Sequence, residues 1–126
     1  MLTLDVCQVD DESRLFISPA IHEWAPLQPY KIDTVIDLEG GLDHCIPSVA
    51  GECLYVYFPI LDEQLPPRAK LHGVAKLGAQ LVRDGHVVLS HCGMGFNRSA
   101  LVAGLILHEL GMNDAEIAKL RSNGVV

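Results

Sequence analysis

The sequence predicts an α/β layered fold, and three observations predict it. Short apolar runs rich in β-branched residues alternate with longer segments of helical periodicity. One run, His86-Val87-Val88-Leu89-Ser90, is continuously apolar after its first residue, in the manner of a strand buried on both faces of a parallel sheet. That run passes through a glycine-containing turn into a helical segment, and ligands bind at such strand ends in open α/β sheets.

The elements follow in order. Leu2-Thr3-Leu4-Asp5-Val6 and Arg14-Leu15-Phe16-Ile17-Ser18 are short strands separated by the turn Asp10-Asp11-Glu12-Ser13, a hairpin at a sheet edge. Pro19, Pro26 and Pro29 limit regular structure through residue 30, apart from a helical turn or two around Ala20–Trp24. Trp24 and Tyr30 serve as packing for this segment. Asp33–Leu38 is a buried strand ending at the turn Gly40-Gly41. Leu54–Ile60 is a strand rich in aromatic and β-branched residues, and Pro59 ends its pairing because proline has no amide proton.

A helix follows Pro67, with Leu71, Val74, Ala75, Gly78, Leu81 and Val82 on one face and Lys70, Lys76 and Arg83 turned outward; Asp84-Gly85 closes it. The central strand and its loop come next. A helix then runs from about Arg98 to Leu110 and stops at Gly111. A last short helix begins at Asn113, with Glu116 at the capping-box position.

At 126 residues the chain is expected to form one domain, residues 1–126. Apolar residues make up 49 % and charged residues 20 %, which fits a globular chain and argues against disorder. No apolar run approaches a membrane span of about 20 residues. The N-terminus lacks the basic region of a secretory signal, so a cytoplasmic protein with reduced thiols is expected. Cys7, Cys45, Cys53 and Cys92 form no CxxC pair for zinc or a thioredoxin-type centre, and His22, His44, His72, His86 and His108 show no metal spacing. The net charge is −7, with twelve acids against two bases in residues 1–63 and seven bases against four acids in residues 64–126. Such a chain is poorly suited to nonspecific nucleic-acid binding.

The chemistry concentrates in Ser90-His91-Cys92-Gly93-Met94-Gly95-Phe96-Asn97-Arg98-Ser99. A helix N-terminus presents unpaired amides and a partial positive charge, so a loop whose amides converge there is an anion nest. Glycines at 93 and 95 permit close approach of a ligand. Arg98, in the first helical turn, can bind two oxygens of a phosphoryl group. A sulfur at the base of the nest is favoured as thiolate, so Cys92 is expected to be a nucleophile near neutral pH. A phosphate-ester leaving group needs a proton, and Asp62, just past a strand end and 30 residues before Cys92, is the candidate general acid. Glu63 is the neighbour that could substitute for it. His91 is expected to act indirectly, holding the loop through its backbone.

The pattern HCxxGxxRS at residues 91–99 resembles the signature of the cysteine-dependent protein tyrosine phosphatases in its dual-specificity form. The resemblance runs from about Leu15 to Leu120. It implies a three-layer α/β fold with a central mixed, mostly parallel sheet of four or five strands flanked by helices. It also implies hydrolysis of phosphate monoesters without a metal or other cofactor, through a cysteinyl-phosphate. Catalysis would fall to Cys92, Arg98, Asp62 and Ser99, with Gly93, Met94, Gly95, Phe96, Asn97 and Arg98 binding the phosphoryl group. Ser99 takes the family role of stabilising the departing thiolate.

Family enzymes acting on phosphoinositides tend to carry lysines in this loop, and this loop has none. The chain also lacks an obvious phosphotyrosine-recognition loop, so a shallow pocket accepting phosphotyrosine in proteins, with phosphoserine and phosphothreonine as further substrates, is expected. A monomer with no nucleic-acid or membrane partner completes this expectation. Two alternatives stand beside it. Gly95-Phe96-Asn97-Arg98 also resembles the loop of capping-type RNA 5′-triphosphatases, against which Asp62 and the negative charge weigh. The other is a non-catalytic phosphoprotein-binding module using the same nest. Cys45 is the thiol best placed to pair with an oxidised Cys92.

Overall fold

A computed structural model describes residues 6–43, 46–60, 66–93 and 97–122. It contains one five-stranded sheet built from β1 (Cys7–Gln8), β2 (Leu15–Ser18), β3 (Thr34–Asp37), β4 (Leu54–Tyr57) and β5 (Val88–His91). The spatial order is β1-β2-β5-β3-β4. The pairs β2–β5, β5–β3 and β3–β4 are parallel, and β1 pairs antiparallel with β2. The sheet is therefore mixed and mostly parallel, as the sequence led us to expect. All four residues of β5 are buried, the apolar Val88 and Leu89 together with the polar Ser90 and His91.

Side chains alternate across the sheet and define two cores. On one face Leu15, Ile17, Ile36, Leu38 and Val88 pack under α1 (Arg68–Arg83) and α2 (Asn97–Glu109). α3 (Asp114–Ser122) adds Ile117 and Leu120 at the margin. On the other face Phe16, Val35 and Leu89 meet Ile21, Leu27 and Trp24. Each fully buried Leu, Ile or Val contributes roughly 1.5–3 kcal/mol relative to exposure.

The second face is covered by a 3-10 helix at Ala25–Tyr30, five residues later than the turn expected around Ala20–Trp24. Pro26 lies at its start and Pro29 inside it, so both prolines are part of the helix instead of its boundary. Proline's fixed φ suits a short 3-10 segment, and its missing amide proton matters little there. Tyr30 packs edge-on to Phe16 at 5.2 Å between ring centroids.

The helices end as their sequences dictate. Gly85 (φ +90°) and Gly111 (φ +98°) take the left-handed conformation that closes α1 and α2. In each case the glycine amide and the next one return to carbonyls of the last turn, Gly85 to Val82 and His86 to Leu81, Gly111 to His108 and Met112 to Leu107. α3 starts with the expected capping box, in which the Glu116 amide donates to Asn113 Oδ1 at 2.8 Å. α1 and α2 approach closely at Gly78, where an added Cβ would come within 2.6 Å of Ile106 Cδ1. No helix among the described residues is long and apolar enough to cross a membrane.

The consequence for function is positional. β2, β5, β3 and β4 run parallel, so their C-terminal ends share one edge of the sheet. Cys92 follows β5 at the centre of that edge, and α2 begins there.

Candidate active site

Strand β5 delivers Cys92 into the sheet edge, where its amide donates to the Ser18 carbonyl at 3.3 Å and the Leu38 amide donates to the His91 carbonyl at 2.9 Å. Cys92 is fully buried, and its Sγ lies 3.7 Å from Ser99 Oγ, within hydrogen-bond reach for sulfur. Ser99 is itself buried in the first turn of α2, and its carbonyl accepts from Ser90 Oγ at 3.3 Å. Strand and helix are thus joined beneath the loop. The two residues expected to serve the thiolate, Cys92 and Ser99, are brought together.

Arg98 is the second residue of α2, and two elements outside the loop hold its guanidinium. Nη1 donates to the Ile60 carbonyl at 2.8 Å, and Nη2 lies 3.3 Å from Glu39 Oε2. Ile60 follows β4 and Glu39 follows β3, so the arginine is anchored to both neighbouring strand ends. The Glu39 carboxylate also sits directly over Gly93, where a Cβ would collide with it. Gly93 is therefore needed for space, a reason separate from the ligand approach expected of it.

His91 was expected to bond the loop backbone, of which residues 94–96 lie outside the described residues; its described partners are carboxylates. Its Nε2 lies 2.7 Å from Asp43 Oδ2 and 3.4 Å from Asp37 Oδ1, and its buried Nδ1 has no hydrogen-bond partner among the described residues. Parallel pairing explains this, because the β3–β5 register sets Asp37 opposite His91. Tyr55 on β4 completes the group. Its hydroxyl contacts Asp37 Oδ2, lies 3.1 Å from Asp43 Oδ2 and accepts the Asp43 amide at 3.0 Å. Asp37 Oδ1 accepts the Glu39 amide at 2.9 Å.

Burial drives the Asp37 carboxyl above its ordinary value; bonds from Tyr55 and the Glu39 amide and the nearby His91 oppose it. Burial and the bond to Asp37 likewise raise the Tyr55 hydroxyl. The ligand atoms of Asp37, Asp43 and His91 lie within 4.8 Å of one another. Each already takes part in hydrogen bonds inside the cluster, so the arrangement is a bonded polar network.

Asp62, Met94, Gly95 and Phe96 lie outside the described residues, as do Glu63 and Cys45. Asn97 is exposed at the start of α2. Cys7 and Cys53 are free and half-buried. Burial, with Asp33 and Glu52 nearby, pushes the Cys53 thiol up, which suits an inert side chain.

Four residues of the site, Asp37, Glu39, Asp43 and Tyr55, escaped the sequence reading. A signal for two of them was present: Asp37 and Glu39 stand at the C-terminal end of a strand expected beside the loop-bearing one, and carboxylates at such an edge face the ligand side of an open sheet.

No protein-family model matches the chain, and no curated protein matches it. Solved structures do. A variant of human DUSP28 superposes with a TM-score of 0.75 at 20 % identity, covering 94 % of this chain and 80 % of that one. The human tyrosine phosphatase-like serine/threonine/tyrosine-interacting protein gives 0.70 at 19 %, covering 96 % and 85 %. TpbA of P. aeruginosa gives 0.68 at 19 %, covering 94 % and 78 %. The fold is that of the dual-specificity and tyrosine phosphatases.

Proposed function

We propose that this protein is a phosphatase that hydrolyses phosphate monoesters without a metal ion, through a cysteinyl-phosphate. The observation that carries the reading is the placement of a buried Cys92 Sγ 3.7 Å from Ser99 Oγ at the start of α2, with Arg98 one residue before that serine.

The Cys92 thiolate attacks phosphorus in line with the leaving oxygen. An S–P bond forms as the P–O bond to the alcohol or phenol breaks. Arg98 and the amides at the start of α2 bind the non-bridging oxygens, whose charge is met by groups already oriented for it. Asp62 gives its proton to the leaving oxygen and, as carboxylate, then takes one from the water that attacks the phosphoenzyme. That water's oxygen bonds to phosphorus, the S–P bond breaks, and the thiolate departs with Ser99 Oγ donating to it. His91 supports the residue it precedes.

Phosphotyrosine in proteins is the proposed substrate, with phosphoserine and phosphothreonine also accepted. Comparison of kcat/KM on matched phosphopeptides tests this, and a deep preference for phosphoserine would contradict it. The uncharged stretch Gly93–Asn97 and the Glu39 carboxylate beside Arg98 disfavour multiply phosphorylated head groups. The presence of cysteine, arginine and serine together in the sequence supports turnover over a binding-only module.

A further inference from the structure

Tyr55 has one hydroxyl proton and two carboxylates to satisfy. Its oxygen contacts Asp37 Oδ2 and lies 3.1 Å from Asp43 Oδ2. The Asp43 amide donates to that oxygen, so it adds no proton of its own to either carboxylate contact. If the phenol donates to Asp43, its closer contact with Asp37 is a hydrogen bond only when the Asp37 carboxyl carries the hydrogen. Asp43 Oδ2 already faces His91 Nε2 at 2.7 Å, which suits it to the acceptor's place. Asp37 is fully buried, and its Oδ1 takes the Glu39 amide, leaving Oδ2 as the oxygen that can carry the hydrogen.

We propose that Asp37 is a protonated carboxylic acid in the folded protein near neutral pH, and that it is a positioning residue for the catalytic loop. Its hydroxyl donates to Tyr55, Tyr55 donates to Asp43, and Asp43 accepts from Nε2–H of His91. The chain of bonds runs one way and ends on the residue preceding the nucleophile.

Among the described residues, the titratable groups facing Asp37 are Asp43 from the segment after β3, Tyr55 from β4 and His91 from β5. Burial is the largest influence on its carboxyl and favours the uncharged form.

The test is thermal unfolding against pH, which does not depend on catalysis. An acid whose folded pKa is raised binds a proton that the unfolded chain releases. Its presence therefore lowers stability progressively as pH rises above the unfolded carboxyl value, until the folded value is passed. Asp37→Asn reproduces the protonated acid: Oδ1 still accepts the Glu39 amide and the amide nitrogen donates to Tyr55. The variant should melt at or above wild type at pH 7.5, and the difference should shift in favour of wild type as pH falls to 5. Asp37→Ala should lower the midpoint throughout, as should Asp43→Asn, which neutralises the acceptor.

An Asp37→Asn variant that melts below wild type at pH 7.5 and recovers towards pH 5 would overturn the proposal. So would a difference that does not change with pH. The positioning part rests on the phosphatase reading, and hydrolysis of p-nitrophenyl phosphate separates the two. Asp37→Asn should remove a fall in kcat/KM that wild type shows above neutral pH. If wild type does not hydrolyse the ester, the phosphatase reading fails while the unfolding result still decides the protonation state.

Discussion

Arg98 Nη2 lies 3.3 Å from Glu39 Oε2, and the same carboxylate fills the space over Gly93 that a side chain would need. One acid thus meets both Gly93 and Arg98. Glu39→Gln keeps the shape and removes the charge that orients the guanidinium. We expect kcat/KM for p-nitrophenyl phosphate to fall about tenfold, the scale of one charge-assisted hydrogen bond. The melting temperature should hardly move, because Glu39 is 36 % exposed at the side chain and partly exposed ion pairs add little stability.

Gly93→Ala addresses the same contact from the other side. The new methyl group and the Glu39 carboxylate occupy one space, so the carboxylate must leave Arg98 or the loop must shift. KM should rise by roughly an order of magnitude, as expected for a lost positioning contact. Combining Gly93→Ala with Glu39→Ala should cost less than the two single changes together, since both act through one pair. Steady-state kinetics of the four proteins measures the coupling.

Arg98→Lys keeps a positive charge but loses the planar fork that reaches Ile60 and Glu39 and that the proposed function uses to bind a phosphoryl group. The loss in kcat/KM should be about 10²-fold or more, comparable to removing one preorganised oxyanion donor. A loss below fivefold would mean that charge alone suffices.

Two glycines of α1 predict opposite effects on stability. Gly78 faces Ile106, so Gly78→Ala overpacks the α1–α2 contact and should cost about 1–3 kcal/mol. Gly73 is exposed with nothing near its missing Cβ, so Gly73→Ala should stabilise by about 0.5–1 kcal/mol through helix propensity. Urea unfolding of both variants reads the sign directly.

What the sequence revealed follows the range of the interactions involved. The apolar start of β5 and the periodic segment of α2 are local, so the strand and helix that bring Cys92 to Ser99 were legible. The helix stops at Gly85 and Gly111 and the capping box of Asn113 and Glu116 were legible for the same reason. Asp37 and Asp43 were not, because only the parallel register of β3 against β5 brings them to His91 from 54 and 48 positions away. Glu39 was hidden likewise, since its partner Arg98 lies 59 residues on. The 3-10 helix was misplaced because Pro26 and Pro29 read as breakers, whereas a short 3-10 segment accepts them. Asp62 was chosen on chemistry and spacing, and it lies outside the described residues.

The central claim is that Cys92 is the nucleophile of a metal-independent phosphatase. Hydrolysis of p-nitrophenyl phosphate in the presence of a chelator, by wild type, Cys92→Ser and Asp62→Asn, tests it most directly. We expect wild type to turn over, Cys92→Ser to be inactive, and Asp62→Asn to lose about 10²-fold in kcat, within the range of general acid catalysis. A small effect of Asp62→Asn would move the acid to Glu63. Wild type that is inactive without metal, or Cys92→Ser that retains turnover, would contradict the account.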